Sequence, residues 1–536
     1  MTNSVSTAVK SVASWAVPTA SSGIILGIAF PPLDLYWLAW IGLVPLLWIT
    51  YDESRQGHAF LYGFIAGVLF WLITLRPLVS AYIWSGWQED IDLEAASQHQ
   101  YFALSVLWIL LASWSAIFWG LFTWLVSRIV RGSQLRLAFV GPPIFVLVAE
   151  WLRTLTEWNY QWALLGNVTV EIESIRQLAA FGGTWLLTWM VVLFNVAVLI
   201  LLLRIKQPRK WLIPGAMFGA IGLLALAGSW QLEQTETLQK QRSGISVAAL
   251  QYSKPEYYFN DYAQIGIERD YLQLLHRIAE GEAGEISLLV LPESIAITAV
   301  SLDGTRTSSK PSDLQNSLPA WNEAVLNVID QSDTPFSIVM GLETIENGHL
   351  YNSLVYWTPM GIEHRYHKQK LVPFSEYSPF VLHKLGLQGE STYTAGRKSE
   401  VTLVQNFAIG GFICQEVLIP SVIRRSVLEG AQLLVSGGND GVFEDPAVAD
   451  VHAKLARLRA VETGRYVVRA MKTGISAIIS PTGTEIARSP GSEPYIVTGQ
   501  AREMTHKTPY MQHGNWPILL ATLILFGAIC LLQFRR

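Results

Sequence analysis

The sequence predicts a polytopic α-helical membrane domain of about eight spans joined to an extramembrane α/β domain. Three observations predict it. Hydrophobic residues make up 51% of the 536 positions and charged residues only 15%, against the roughly 25% charged usual in soluble domains. Long stretches lack Asp, Glu, Lys and Arg. A single long insertion, residues 244–505, alternates strand-like and helix-like segments.

A spanning helix needs about 20 mostly apolar residues. Such runs lie at 11–33, 56–75, 101–127, 177–203, 211–232 and 514–534, all without Asp, Glu, Lys or Arg. The run 35–50 is shorter but strongly apolar. The run 137–152 is the weakest, because it holds Pro142, Pro143 and Glu150. Seven spans therefore precede residue 235 and one closes the chain. This divides the sequence into a membrane domain (1–234), an extramembrane domain (235–510) and a C-terminal helix (511–536). The first run has no convincing small-residue cleavage site, so it reads as a retained helix rather than a signal peptide.

Lys and Arg in short loops set the orientation. Arg128, Arg131 and Arg136 flank one loop, Arg204, Lys206, Arg209 and Lys210 fill another, and Arg535 and Arg536 end the chain. The loop 85–100 is acidic. Both termini are thus expected in the cytoplasm and residues 235–510 on the opposite side. A net charge of −4 gives no basic footprint for nucleic acid. The two cysteines, Cys414 and Cys530, lie in unlike surroundings, and no CxxC or histidine spacing suggests a disulfide framework, a metal or another cofactor.

In the insertion, "ISVAALQ" (245–251) has a buried-strand pattern and 265–280 has helical spacing. Further strands are expected at 285–294, 336–344, 407–416, 432–440 and 474–483, with helices at 421–431 and 447–464. This alternation argues for layered sheets. Polar residues at the carboxyl ends of such strands gather into sites. Glu293 ends "LLVLPE", Cys414 ends "IGGFIC", and Asn439 and Asp440 end "LLVSGGND". The segment 365–380, "RYHKQKLVPFSEYSPF", mixes lysine, proline and aromatic residues.

Cys414 has two readings, an inert small core residue or a nucleophile. A cysteine attacks as its thiolate and needs a base or a cation beside it. A buried glutamate can be that base, and a lysine can stabilise both the thiolate and an oxyanion. The backbone N–H of Gln415 would be a second oxyanion donor. Lys370 competes with Lys368 for the lysine role, Asn439 and Asp440 also suit a turn, and His452 reads as structural. Tyr257 and Tyr258 lie in a non-membrane segment, where they could contact a substrate or dip into the bilayer surface.

"LPES" with Glu293, "YHKQKLVPFSEYSP" with Lys368 and "GFICQE" with Cys414 resemble the Glu–Lys–Cys triad of the nitrilase superfamily. With the polytopic leading region, "EWLR" at 150–153 and "GNWP" at 514–517, nearly the whole chain is similar to the membrane-bound apolipoprotein N-acyltransferases. The resemblance implies an αββα sandwich and a catalytic domain on the periplasmic side of the bacterial cytoplasmic membrane. It implies no metal or cofactor. Cys414 would take an acyl chain from a phospholipid, typically phosphatidylethanolamine, and pass it to the α-amine of a diacylated lipoprotein. Glu293 would be base and then acid, Lys368 would hold the oxyanion, and Glu376 and Glu416 match further acidic positions of the family.

Three segments depart from the family pattern. "GGNDGVFED" lacks the usual Trp, "RAMKTGIS" stands where paired asparagines are usual, and "QYSKPEYYFN" also lacks a Trp. They put acceptor or donor preference in question. A membrane-tethered amide hydrolase with the same triad and a non-catalytic scaffold are the competing readings.

Overall fold

The computed structural model describes residues 2–51, 57–77, 93–131, 135–156, 161–207, 211–252, 271–293, 300–301, 336–358, 361–373, 376–377, 393–399, 401–404, 406–441, 443, 445–491 and 493–533. These form two compact units, one of residues up to 232 together with 512 onward, the other of residues 233–511.

The first unit is helical. Three helices among the described residues are long and apolar enough to cross a membrane: Leu104–Arg128, Ala179–Leu203 and Leu212–Lys240. The expected eight spans are not reached by this measure, for local reasons. The run 35–50 is broken into a 3-10 turn, Tyr36–Leu38, and two short helices, Ala39–Gly42 and Val44–Tyr51. Pro45 cannot donate to a preceding turn, so a continuous helix stops before it. Ala59–Thr74 has 16 residues, about 24 Å at 1.5 Å per residue. Leu135–Thr154 holds Pro142 and Pro143 as well as a buried Glu150 and Arg153. Thr2–Gly27 contains Pro18.

Polar side chains inside this unit are spent on helix joints. Asn195 accepts the Leu43 N–H and donates to the carbonyls of Ala39 and Val191, all at 2.9 Å, which ties the broken segment down. Glu150 accepts from the Leu165 N–H and the Thr188 hydroxyl. Arg153 donates to the Trp162 carbonyl and lies 4.4 Å over the Trp71 ring. Each pairing removes an unsatisfied group from an apolar interior, where it would cost about 1–3 kcal/mol.

The second unit contains two sheets. Its strands are β1 (Gly244–Gln251), β2 (Leu288–Val290), β3 (Val300–Ser301), β4 (Ser337–Glu346), β5 (His349–Thr358), β6 (Gly361–His367), β7 (Thr402–Val404), β8 (Phe407–Ile413), β9 (Leu433–Gly438), β10 (Tyr466–Met471), β11 (Ala477–Ile479), β12 (Glu485–Arg488) and β13 (Tyr495–Arg502). One sheet runs β13-β1-β2-β4-β5-β6, with β3 beside β4; the other runs β12-β11-β10-β9-β8-β7. Pairs β1/β2, β2/β4, β8/β9 and β9/β10 are parallel.

The sheets pack on each other through β1 against β10, β4 against β9 and β5 against β8. Tyr271, Leu274, Leu275 and Ile278, from a helical segment at 271–279, cover the outer face of the first sheet. Helices Pro420–Leu428 and Ala447–Thr463 cover the second. The layers are therefore α, β, β, α. Strands covered on both faces read as continuous apolar runs, and β2 and β9 are buried throughout. The expected strand 285–294 shrinks to three residues. Residues 414–416, expected in a strand, form a 3-10 turn, Cys414–Leu418. Parallel strands β1, β2, β8, β9 and β10 direct their carboxyl ends toward one region, and the candidate site forms there.

Candidate active site

Cys414 directly follows β8 and has φ of 50°. That is the left-handed region, sparsely used by residues with a side chain and characteristic of functional turns. The turn is pinned by Glu416, which is fully buried. One carboxylate oxygen accepts the Ile413 N–H and the Tyr366 hydroxyl, both at 2.8 Å. The other accepts the N–H groups of Gln369 and Lys370 at 2.7 and 3.1 Å. Burial raises the Glu416 pKa, opposed by these donors. Glu416 thus joins the end of β8 to the end of β6.

Lys368 is the first residue after β6 and is 1% exposed. Its Nζ lies 2.7 Å from Glu376 Oε1 and 3.6 Å from Glu293 Oε1. Burial disfavours its charge, but the Glu376 and Glu293 carboxylates outweigh that and raise its pKa, keeping it an ammonium. Lys370, the competing lysine, is exposed. Glu376 closes its own loop by accepting the Val372 N–H at 2.7 Å.

Glu293 lies just beyond β2. Its backbone passes so close to β4 that a side chain on Gly341 would meet Glu293 Cα at 2.5 Å. Only glycine allows this approach. Burial raises the Glu293 pKa, with the Lys368 ammonium opposing, and the Cys414 thiol lies within the electrostatic reach of this carboxylate. The thiol pKa is raised by burial and then by Glu293. The sulfur at rest is therefore a thiol, with Glu293 the carboxylate that acts on it most strongly.

The sequence reading missed Asn352, on β5. Its Nδ2 donates to Glu293 Oε1 at 2.5 Å and to Glu376 Oε1 at 3.0 Å, so one amide spaces the two carboxylates. The only signal was a polar residue inside the apolar run "LYNSLVYW". It also missed Glu343 of β4, which accepts the Tyr393 hydroxyl at 2.6 Å.

Asn439 supplies the backbone carbonyl that faces the Cys414 sulfur at 3.8 Å. Its side chain accepts from the Gly441 N–H and the Thr473 hydroxyl. Behind it, buried Asp440 pairs with His452 at 2.7 Å and Arg469 at 3.1 Å. These partners, against the opposing effect of burial, hold the Asp440 pKa below the usual aspartate range. Gln415 is 8% exposed within the turn. Tyr257 and Tyr258 lie outside the described residues. Among the described residues, no group of three or more His, Cys, Asp or Glu side chains is placed to hold a metal ion. A buried thiol in the fields of a carboxylate and an ammonium can carry out acyl transfer through a covalent intermediate.

Two family models match this chain. The apolipoprotein N-acyltransferase N-terminal domain covers residues 22–197, and the carbon-nitrogen hydrolase model covers 246–510. The apolipoprotein N-acyltransferase of Pasteurella multocida (strain Pm70) is 26% identical over 544 residues, 95% of this chain and 94% of the relative. The chain belongs to the apolipoprotein N-acyltransferase family. A second N-acyltransferase, from Mycolicibacterium smegmatis, is 28% identical over 539 residues, 95% of this chain and 83% of the relative. A solved amidase from Nesterenkonia sp. AN1 aligns at 16% identity over 51% of this chain and 98% of its own, with a TM-score of 0.35. As a member of the N-acyltransferase family the chain is an acyltransferase, and its apolar helices fit a membrane protein. The Glu293, Lys368 and Cys414 side chains all lie within the part matched by the carbon-nitrogen hydrolase model.

Proposed function

We propose that this acyltransferase moves a fatty acyl chain from a phospholipid, through a Cys414 thioester, to the α-amine of an S-diacylglyceryl cysteine at a lipoprotein N-terminus. The observation that carries the reading is the convergence of three strand ends, where buried Lys368 lies 3.6 Å from Glu293 and 2.7 Å from Glu376 and the Cys414 thiol sits in the fields of both Glu293 and Lys368. The Cys414 thiol gives its proton to Glu293 as the sulfur attacks the ester carbonyl carbon. The resulting oxyanion is met by the Lys368 ammonium and the Gln415 backbone N–H. Collapse breaks the C–O bond, and the departing lysophospholipid oxygen takes the proton from Glu293. The acceptor amine then attacks the thioester carbonyl and loses its proton to Glu293. The Cys414 sulfur leaves and is reprotonated, and the new bond is an amide.

Phosphatidylethanolamine is the proposed donor. The proposed setting is the bacterial cytoplasmic membrane, crossed about eight times, with the catalytic unit on the periplasmic side. Loop charges support that orientation. The amidase reading uses the same residues but resolves the thioester with water, and it leaves the helical unit without a task.

The test is resolution of the intermediate. Purified chain incubated with phosphatidylethanolamine should gain one acyl mass. Adding a diacylated lipopeptide should clear that mass and yield a triacylated product. Free fatty acid as the sole product would replace the transferase reading with the hydrolase.

The pH profile of acylation follows from Glu293. The base acts only when deprotonated, and burial lifts its pKa above the ordinary glutamate range, which centres near ~4.3. Acylation should therefore slow as pH falls through that raised value, while the fold persists. A single-turnover rate that stays constant down to the ordinary glutamate range would remove Glu293 from the base role.

A further inference from the structure

Lys472 is a buried amine that the mechanism above does not use. It follows β10 and is 7% exposed. Its backbone N–H donates to the Gly438 carbonyl at 2.8 Å. Gly438, at the end of β9, abuts the nucleophile, since a Cβ there would lie 3.2 Å from Cys414 Cα. Lys472 thus stands one strand away from the nucleophile's neighbour, a spacing of about 4.8 Å. Its ammonium lies in the fields of the Glu293 and Glu343 carboxylates. The next residue, Thr473, donates to the Asn439 side chain, whose backbone faces the sulfur.

The charges around the sulfur set a problem for the substrate. Glu293, Glu343 and Glu376 are carboxylates of one region, and Lys368 is already committed to two of them. A phospholipid brings a phosphodiester only a few bonds from the ester that Cys414 attacks. An anion entering a desolvated, carboxylate-rich site needs a cation to receive it. Lys368 is 1% exposed and aimed at Glu376, so it suits the oxyanion rather than a second anion.

We propose that Lys472 is the donor-specificity residue of the site, its ammonium receiving the phosphodiester of the glycerophospholipid and so seating the neighbouring ester over Cys414. This rests on the thioester reading. Burial lowers the Lys472 pKa to about 8, with Glu293 and Glu343 opposing. The amine therefore stays largely charged at neutral pH yet is weakly solvated, the condition in which a charged hydrogen bond discriminates most.

The test uses the full-length chain in detergent micelles with two acyl donors. One is phosphatidylethanolamine, and the other is p-nitrophenyl palmitate, which carries no phosphate. For Lys472→Met, kcat/KM with phosphatidylethanolamine should fall about tenfold or more, mostly in KM, while the nitrophenyl ester loses less than about threefold, as expected for one lost charge-assisted contact. Lys472→Arg should recover most of the loss. Phosphatidylglycerol, which keeps the phosphodiester and lacks the amine, should show the same deficit as phosphatidylethanolamine. Equal losses with both donor types would reduce Lys472 to a structural role, and full phospholipid activity in Lys472→Met would overturn the proposal outright. If the unaltered chain gains no acyl mass on Cys414 from either donor, the thioester reading itself falls.

Discussion

Cys414→Ala is expected to abolish the acyl adduct and to lower turnover by about 10³-fold or more, the scale seen when a covalent nucleophile is removed. The change is small in volume and leaves the turn's anchors in place, because Glu416 holds Ile413, Gln369 and Lys370 without help from the sulfur. Alanine also reaches the left-handed conformation of this position no less readily than cysteine does. Thermal unfolding of the variant should therefore stay close to that of the parent. Intact mass after incubation with phospholipid checks the chemistry, and differential scanning fluorimetry checks the fold. An acyl mass on the alanine variant would place the nucleophile elsewhere.

Lys368→Met should damage both chemistry and stability. The ammonium is the counter-charge of two buried carboxylates, Glu376 at 2.7 Å and Glu293 at 3.6 Å. Removing one partner from such a buried group leaves uncompensated charge and costs about 3–5 kcal/mol. The loss of an oxyanion donor adds a factor of about 10²–10³ in turnover. Without the ammonium that opposes the effect of burial on Glu293, its pKa rises further, so Glu293 becomes a poorer base at neutral pH. A lower unfolding midpoint together with a slower single-turnover acylation is the expected pair. A slow but fully stable variant would mean that the two carboxylates are neutralised by another group.

The segments that converge on the candidate site were legible because strand ends in α/β layers concentrate polar residues, and Glu293, Cys414 and Asn439 each close an apolar run. Lys368 was legible only through its segment. Composition does not separate it from Lys370; in the structure Lys368 is buried and Lys370 exposed. Asn352 was hidden because a mid-strand polar residue looks the same whether it faces a carboxylate pair or an ordinary pairing partner. Strand β10, "YVVRAM", was passed over because Arg469 interrupts its apolar pattern, and Asp440 is what allows that arginine to be buried. Among the described residues three helices reach spanning length, fewer than the apolar runs suggest, because hydropathy measures composition, not continuity. The run 35–50 is apolar throughout, but Gly42 and Pro45 divide it.

The grip of Glu416 has a consequence for how this catalyst can change. One carboxylate fastens two chain segments that are about 50 residues apart in sequence,, so sulfur and ammonium keep their separation as a single rigid unit. New donors or acceptors can then be acquired by altering the surrounding walls while the reactive spacing is inherited unchanged. A tolerance map of the chain should accordingly show position 416 as restrictive as the nucleophile itself, although it touches no substrate.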